Sequence, residues 1–174
     1  WQAAAARIVQ GWATDLRLTA RGSAASIAPH TPCGHPLGRI AMLHHLSLGV
    51  SAIYTSVTFY DAVLGALGYV RVWSDLAPGT DDQAVGYGWA GGGDKLALKQ
   101  STAVPLAAGA GFHLAFSAAS TAAVDAFYAA ALQYGGRCNG APGLRPDYGD
   151  DYYAAFVIDP DGHRIEAVHN QPAG

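Results

Sequence analysis

Two histidines and one glutamate are the residues of this chain best suited to metal chemistry. His45, His113 and Glu166, the only glutamate among 174 residues, each lie in or directly before a run of alternating apolar residues. The alternation predicts three β-strands with these side chains on the face opposite to the apolar ones. Two imidazoles and a carboxylate that converge in a concavity bind Fe, Mn, Zn or Ni and leave positions open for substrate. Taken singly, a strand histidine is more often a surface or hydrogen-bonding residue.

The elements that would position these residues form an internal repeat. At an offset of 68 residues, His45-Leu46 matches His113-Leu114, and Phe59-Tyr60 matches Phe127-Tyr128. A fixed offset indicates that one supersecondary unit occurs twice.

The pattern predicts a strand, a helix and three further strands in each copy. In the first copy, Ile53, Val57, Tyr60 and Leu64 recur at helical spacing, and Ser51 is a plausible N-cap. The turn Asp159-Pro-Asp-Gly162 joins the last two strands of the second copy. We therefore expect an α+β fold in which two tandem βαβββ modules form a cupped mixed sheet with the helices on the outside.

The expected organisation has two parts. Residues 1–41 are predicted to be an N-terminal extension, partly helical or irregular, and residues 42–174 a single domain. Within this domain, module one covers residues 42–101 and module two residues 111–170.

Composition excludes several classes of protein. Half of the residues (51%) are apolar and only 13% are charged, which favours a folded core over a disordered chain. The net charge is −3 and the ten basic residues are scattered, so no nucleic-acid partner is expected. No apolar run has the roughly 18 residues needed to span a membrane. Two cysteines make no disulfide framework and favour a reduced, cytoplasmic protein.

From Met42 to His169 the chain resembles the vicinal oxygen chelate superfamily, which includes glyoxalase I, extradiol dioxygenases, fosfomycin-resistance thiol transferases and bleomycin-resistance proteins. The motifs that carry the resemblance are His45-Leu-Ser-Leu-Gly-Val50, Phe59-Tyr60-Asp-Ala-Val-Leu-Gly65, Phe112-His-Leu-Ala-Phe116 and Phe156-Val-Ile-Asp-Pro-Asp-Gly-His-Arg-Ile-Glu166. The resemblance implies a small-molecule substrate, one divalent metal ion and frequently a homodimer. It also implies that His45, His113 and Glu166 are the metal ligands.

One departure from glyoxalase I concerns the last strand of module one. Glyoxalase I takes a further glutamate from this strand, whereas the matching segment here is Lys95-Leu-Ala-Leu-Lys99. The acid/base residue of a glyoxalase proton shuttle is therefore missing. A three-ligand dioxygenase or transferase site fits the sequence better than true glyoxalase I.

Other polar and aromatic residues are expected to line the same concavity. Tyr153, assigned to the open face with Ala155 and Val157, and Lys99 are the candidate catalytic residues, although packing and simple exposure are equally consistent with them. The candidate substrate-binding residues are Trp73 and Trp89, as an aromatic wall, and Arg145 and Tyr148, in the loop Gly140–Asp151.

Two functions stay open from the sequence. One is a metal-dependent lyase, dioxygenase or transferase. The other is a metal-free protein of the bleomycin-resistance kind, which holds a ligand without chemistry. The triad discriminates them, because a sequestering protein needs no converging His, His and Glu.

Overall fold

The computed structural model describes residues 43–170, and these form the predicted pair of βαβββ modules. The first module contains β1 (Leu46–Val50), α1 (Ile53–Gly65), β2 (Val70–Asp75), β3 (Ala84–Gly88) and β4 (Asp94–Gln100). The second contains β5 (Leu114–Ser117), α2 (Thr121–Gln133), β6 (Arg137–Leu144), β7 (Tyr153–Ile158) and β8 (Arg164–His169). The α+β class and the tandem modules are confirmed. The predicted extension, residues 1–41, lies outside the described residues.

Each module builds its own four-stranded mixed sheet. The strand orders are β1-β4-β3-β2 and β5-β8-β7-β6, with the first and last strand of each module parallel. The repeat is preserved in the register, since Leu46 lies opposite Leu96 and Leu114 lies opposite Ile165. Each module therefore has one face covered by its helix and one open face.

The two helices pack against each other and against the covered faces. Phe59 of α1 and Phe127 of α2 are fully buried in one apolar cluster that contains residues of both modules. Burying a side chain of this size contributes about 1.5–3 kcal/mol relative to leaving it exposed. The modules are thus joined through their helices, and the open faces lie on the other side of each sheet.

The turn Asp159–Gly162 is a second link between the modules. Both the backbone N–H and the hydroxyl of Ser51 donate to Asp161 Oδ1, at 3.0 and 2.6 Å, and Ser56 Oγ donates to Asp161 Oδ2 at 3.0 Å. The hydroxyl of Tyr60 donates to Asp159 Oδ2 at 2.8 Å. The carboxylates of one module therefore stabilise the helix of the other.

The start of α1 differs from the prediction. Ser51 is not the N-cap; the cap position is Ala52, whose side chain makes no capping bond. The Ile53 N–H instead donates to Gln100 Oε1 at 2.8 Å, because the end of β4 lies beside the first turn. Tertiary contacts replace a local cap here. No helix among the described residues is long and apolar enough to cross a membrane.

Candidate metal centre

Glu166 lies on the open face of the second sheet, yet it is almost completely buried. Its neighbours Ile165 and Ala167 belong to the apolar cluster on the covered face, and strand alternation turns Glu166 the other way. Only 1% of the residue is accessible to solvent. A buried carboxylate requires partners, since leaving its charge without them would be very unfavourable.

The partners of Glu166 are a phenol and an imidazole. The Tyr152 hydroxyl donates to Oε1 at 2.7 Å, and His113 Nε2 lies 3.1 Å from Oε2. Burial raises the pKa of Glu166 above its usual range, while the Tyr152 hydrogen bond and His113 act to lower it. Burial and the same hydrogen bond raise the pKa of Tyr152. Tyr152 therefore stays protonated and is the donor at neutral pH.

The spacing of His113 and Glu166 fits a shared divalent metal as well as a direct hydrogen bond. Two ligand atoms about 2.1 Å from one ion, at tetrahedral or octahedral angles, lie roughly 3.0–3.4 Å apart. One imidazole nitrogen and one carboxylate oxygen are also donors that Zn, Mn, Fe and Ni accept. The pair would supply two ligands at most, and within residues 43–170 no group of three or more His, Cys, Asp or Glu side chains could hold an ion.

His45 is not part of this group within one chain. It is exposed directly before β1, and its Nδ1 lies 2.9 Å from Nδ1 of His44. Within one chain, the described residues therefore do not bring the three side chains together, and the sequence leaves open whether the modules that build a site come from one chain or from two. The physical reason is that His45 belongs to the first sheet, and the modules contact each other through helices and a turn, with each open face separate.

The two open faces are equivalent in register but differ in chemistry. Ala115 lies opposite Glu166 in the second sheet, and Ser47 lies opposite Ala97 in the first. Ala97 thus occupies the position that corresponds to Glu166. At the position of Glu166, the first sheet therefore has an alanine in place of a carboxylate.

Comparison with known proteins decides the family. The model of the glyoxalase/bleomycin resistance protein/dioxygenase superfamily matches residues 42–167. The chain belongs to this superfamily.

Several solved structures of the superfamily are similar to the chain. A glyoxalase/bleomycin resistance protein from Albidiferax ferrireducens T118 is 31% identical, with a TM-score of 0.61 over 75% of this chain and 100% of that one. A putative glyoxalase from Bacillus halodurans is 29% identical, with a TM-score of 0.51 over 73% and 94% of the chains. A Zea mays glyoxalase I mutant shares the fold at 22% identity, with a TM-score of 0.57 over 71% and 44%. No curated protein sequence matches the chain.

Tyr153 lies on the covered face of the second sheet, whereas its predicted catalytic role requires the open face. Tyr153 packs against the covered face, and its hydroxyl donates to Asp125 Oδ1 of α2 at 2.8 Å. The predicted face is wrong by one residue, because Phe156, not Ala155, lies opposite Glu166. Counting back from that pairing would have pointed to Tyr152, the residue that sequence reasoning missed.

Arg145 and Tyr148 do lie beside the buried carboxylate. The Tyr148 ring is 5.3 Å from the Tyr152 ring, and Arg145 Cζ is 5.5 Å from the ring of Phe156, the cross-strand partner of Glu166. Arg145 also acts to lower the pKa of Glu166. The loop between β6 and β7 thus brings a cation and a phenol to the same face.

The remaining predicted residues are divided between two places. The Trp73 indole lies against Gly86, where a Cβ atom would be only 2.2 Å from Nε1, and Gly86 neighbours Ala97 on the open face of the first sheet. Lys99 is exposed on that same strand as Ala97. Trp89 and Trp73 do not line the same surface. The centroid of the Trp89 ring lies 4.4 Å from that of Tyr69, beside residues of the covered face.

Proposed function

We propose that the protein is a divalent-metal-dependent enzyme of the vicinal oxygen chelate type that acts on a small oxygenated substrate. The observation that carries the proposal is the contact of 3.1 Å between His113 Nε2 and Glu166 Oε2, with Tyr152 fixing the other carboxylate oxygen. In this proposal both side chains are ligands of one ion. The metal identity, among Fe, Mn, Zn and Ni, is left open by this donor set.

The third ligand in this proposal is His45 of a second copy. His45 and His113 occupy equivalent positions in the repeat, but a single chain presents them on separate faces. In a homodimer, the open face of the first sheet of one copy could cover the open face of the second sheet of the other. Exposed apolar side chains on these faces, such as Trp73 and Tyr148, favour such cover.

The chain's own groups have distinct roles in the proposed reaction. When bound, the metal supplies a Lewis acid that binds neighbouring oxygens of the substrate. Tyr152 binds Oε1 of Glu166, so that Oε2, beside His113, would be the oxygen that holds the ion. The substrate would contact Arg145 and Tyr148 of one copy and Trp73 and Lys99 of the other copy.

The reaction is closer to a three-ligand dioxygenase or transferase than to glyoxalase I. Ala97 occupies the position at which the first module would provide a second carboxylate. The hydroxyl of Tyr153 lies on the covered face, where it binds Asp125. Neither position supplies a base for a proton shuttle. The low cysteine count supports a cytoplasmic location within this proposal.

A metal-free binding protein is the second candidate. The contact of His113 with Glu166, together with the Tyr152 hydrogen bond, pairs the buried carboxylate without any ion. In that case the same faces would hold a ligand and catalyse nothing.

Metal content and subunit mixing test the proposal. Protein purified without chelator should contain stoichiometric metal that His113→Ala and His45→Ala each remove. His169→Gln is the control, because His169 lies on the same strand as Glu166 and its ring bonds a backbone oxygen, that of Ala118. Absence of metal from the parent protein would support the binding function instead.

Subunit mixing tests whether the site is shared. A mixed dimer of His45→Ala and His113→Ala chains has one site with neither substitution. Random mixing should therefore restore metal to about a quarter of the sites. No restoration from a verified mixed dimer would exclude a site built from two copies.

A further inference from the structure

A cavity lies between the two modules, beside the turn that joins β3 to β4. Its volume is about 290 Å³. It is lined by apolar side chains of the first module, by the turn residue Trp89 and by one edge of β5; the residues used below are Leu64, Tyr69, Trp89, Lys95, Phe116 and Ser117. The cavity shares no residue with the candidate metal centre.

The cavity exists because the two halves of the repeat contact each other unequally. In the second module, the turn Asp159–Gly162 docks on the first module, and His163 Nε2 donates to the Gly49 oxygen at 2.8 Å. In the first module, the residues that correspond to Asp159, Pro160 and Asp161 are Gly91, Gly92 and Gly93, which have no side chains to make such contacts. Ser117, the repeat equivalent of Gly49, receives only a long hydrogen bond of 3.4 Å from Tyr69.

The walls of the cavity are aromatic. The rings of Tyr69 and Trp89 are 4.4 Å apart, and the ring of Phe116 is 6.3 Å from Tyr69. Trp89 is 54% exposed although it lines a cavity, so its ring is available to a ligand. A planar ring would gain offset-stacked or edge-to-face contacts with these side chains.

Lys95 is the one cationic residue among those that line the cavity. Lys95 is exposed and lines the cavity, and in the part of the chain that the structure describes it has no salt-bridge partner. None of the lining residues is acidic. The charge of the cavity therefore favours an anion over a neutral or cationic ligand.

We propose that this cavity binds a small aromatic carboxylate, with its ring between Trp89 and Phe116 and its carboxylate on Lys95. A cavity of about 150 Å³ holds benzene, so 290 Å³ accommodates one ring with a short acidic arm. Ligand sites of this size hold small ligands only. The inference stands on the cavity alone and does not depend on the metal centre.

The chain offers a direct readout, because Lys95 and Lys99 are its only lysines. Reductive methylation with ¹³C-formaldehyde keeps their positive charge and gives each a separate NMR signal. Titration with phenylacetate should shift the Lys95 signal with a dissociation constant of roughly millimolar or tighter. The Lys99 signal should stay unchanged, and neutral phenylacetamide should bind about fivefold more weakly.

Matched variants separate the ring from the charge. Lys95→Gln should remove the preference for phenylacetate over phenylacetamide, whereas Lys99→Gln should keep it. Trp89→Ala should weaken the binding of both compounds. Because Trp89 is exposed, this variant should keep its fold, which circular dichroism checks. Excess EDTA and the His113→Ala variant should leave phenylacetate binding unchanged.

Four results would overturn the inference. They are no saturable binding of phenylacetate, equal affinity for the acid and the amide, an acid preference that survives Lys95→Gln, and binding that disappears with EDTA or His113→Ala. The last result would assign phenylacetate to the metal centre.

Discussion

The hydroxyl of Tyr152 can be removed without changing either proposed ligand of the second sheet, and Tyr152→Phe therefore tests how Glu166 is held. The hydroxyl lies 2.7 Å from Glu166 Oε1, and the carboxylate is 1% exposed. Without this donor, Oε1 is buried and unpaired, and the carboxylate is free to rotate. The orientation that presents Oε2 to His113 should then be less populated.

The expected magnitude follows from two independent estimates. A hydrogen bond to a charged group contributes about 1.5–3 kcal/mol. Loss of an outer partner of a metal ligand typically lowers metal affinity about 10–100-fold, which corresponds to roughly 1.4–2.7 kcal/mol. We therefore expect Tyr152→Phe to bind Zn²⁺ or Mn²⁺ about 10–100-fold more weakly than the parent protein.

Competition against a chromophoric chelator measures this affinity, and the spectrum of the Co²⁺ form reports the ligand geometry. The control is Tyr153→Phe, the same chemical change one residue along the strand. Its hydroxyl binds Asp125 on the other face, so it should affect stability and leave metal affinity unchanged.

Three outcomes are distinguishable. Weaker metal binding in Tyr152→Phe alone supports the positioning role. Equal affinity in both variants and the parent would refute it, while leaving the metal centre intact. No metal binding by the parent protein would refute the metal centre itself.

Three further predictions concern the contacts between the modules and the open face of the first sheet. Asp161→Ala removes three hydrogen bonds at the start of α1 and should lower the free energy of unfolding by about 2–4 kcal/mol in urea titrations; an unchanged midpoint would contradict this. Burial raises the pKa of Asp159 in the folded protein, so folding favours the protonated carboxyl group. This contribution to stability is complete below the pKa that Asp159 has in the unfolded chain, and it is lost as the pH rises through the pKa in the folded protein. Asp159→Asn should accordingly gain stability relative to the parent as the pH rises above the ordinary aspartate pKa of about 4, and a flat difference would exclude this cause. Gly86→Val places a side chain where the Trp73 indole lies and should lower the free energy of unfolding by about 1–3 kcal/mol. Tryptophan emission should shift in this variant, and an unchanged spectrum would show that the ring lies elsewhere.

The sequence determined the architecture and one half of the candidate site. The offset of 68 residues predicted two equivalent modules, and alternation around Glu166 predicted its face correctly. These features are local: a period of two follows from strand geometry, and an internal repeat from duplicated packing. The lack of a second carboxylate in the segment Lys95–Lys99 came from the resemblance to glyoxalase I.

The sequence could not predict which side chains meet, and the error over Tyr153 shows why. A shift of one residue in the alternation moves a side chain to the other face, and only the pairing of Phe156 with Glu166 fixes the phase. The N-cap at Ser51 failed for a related reason, because its hydrogen bonds go to Asp161, 110 residues away.

The tertiary structure alone decided how the modules are joined. Helix packing and the turn at Asp159 keep the open faces apart, so His45 does not reach Glu166 within one chain. The same unequal docking leaves a cavity beside Trp89. Periodicity specifies the exposed and buried faces of each element, but contacts between elements distant in sequence depend on how those faces pack together.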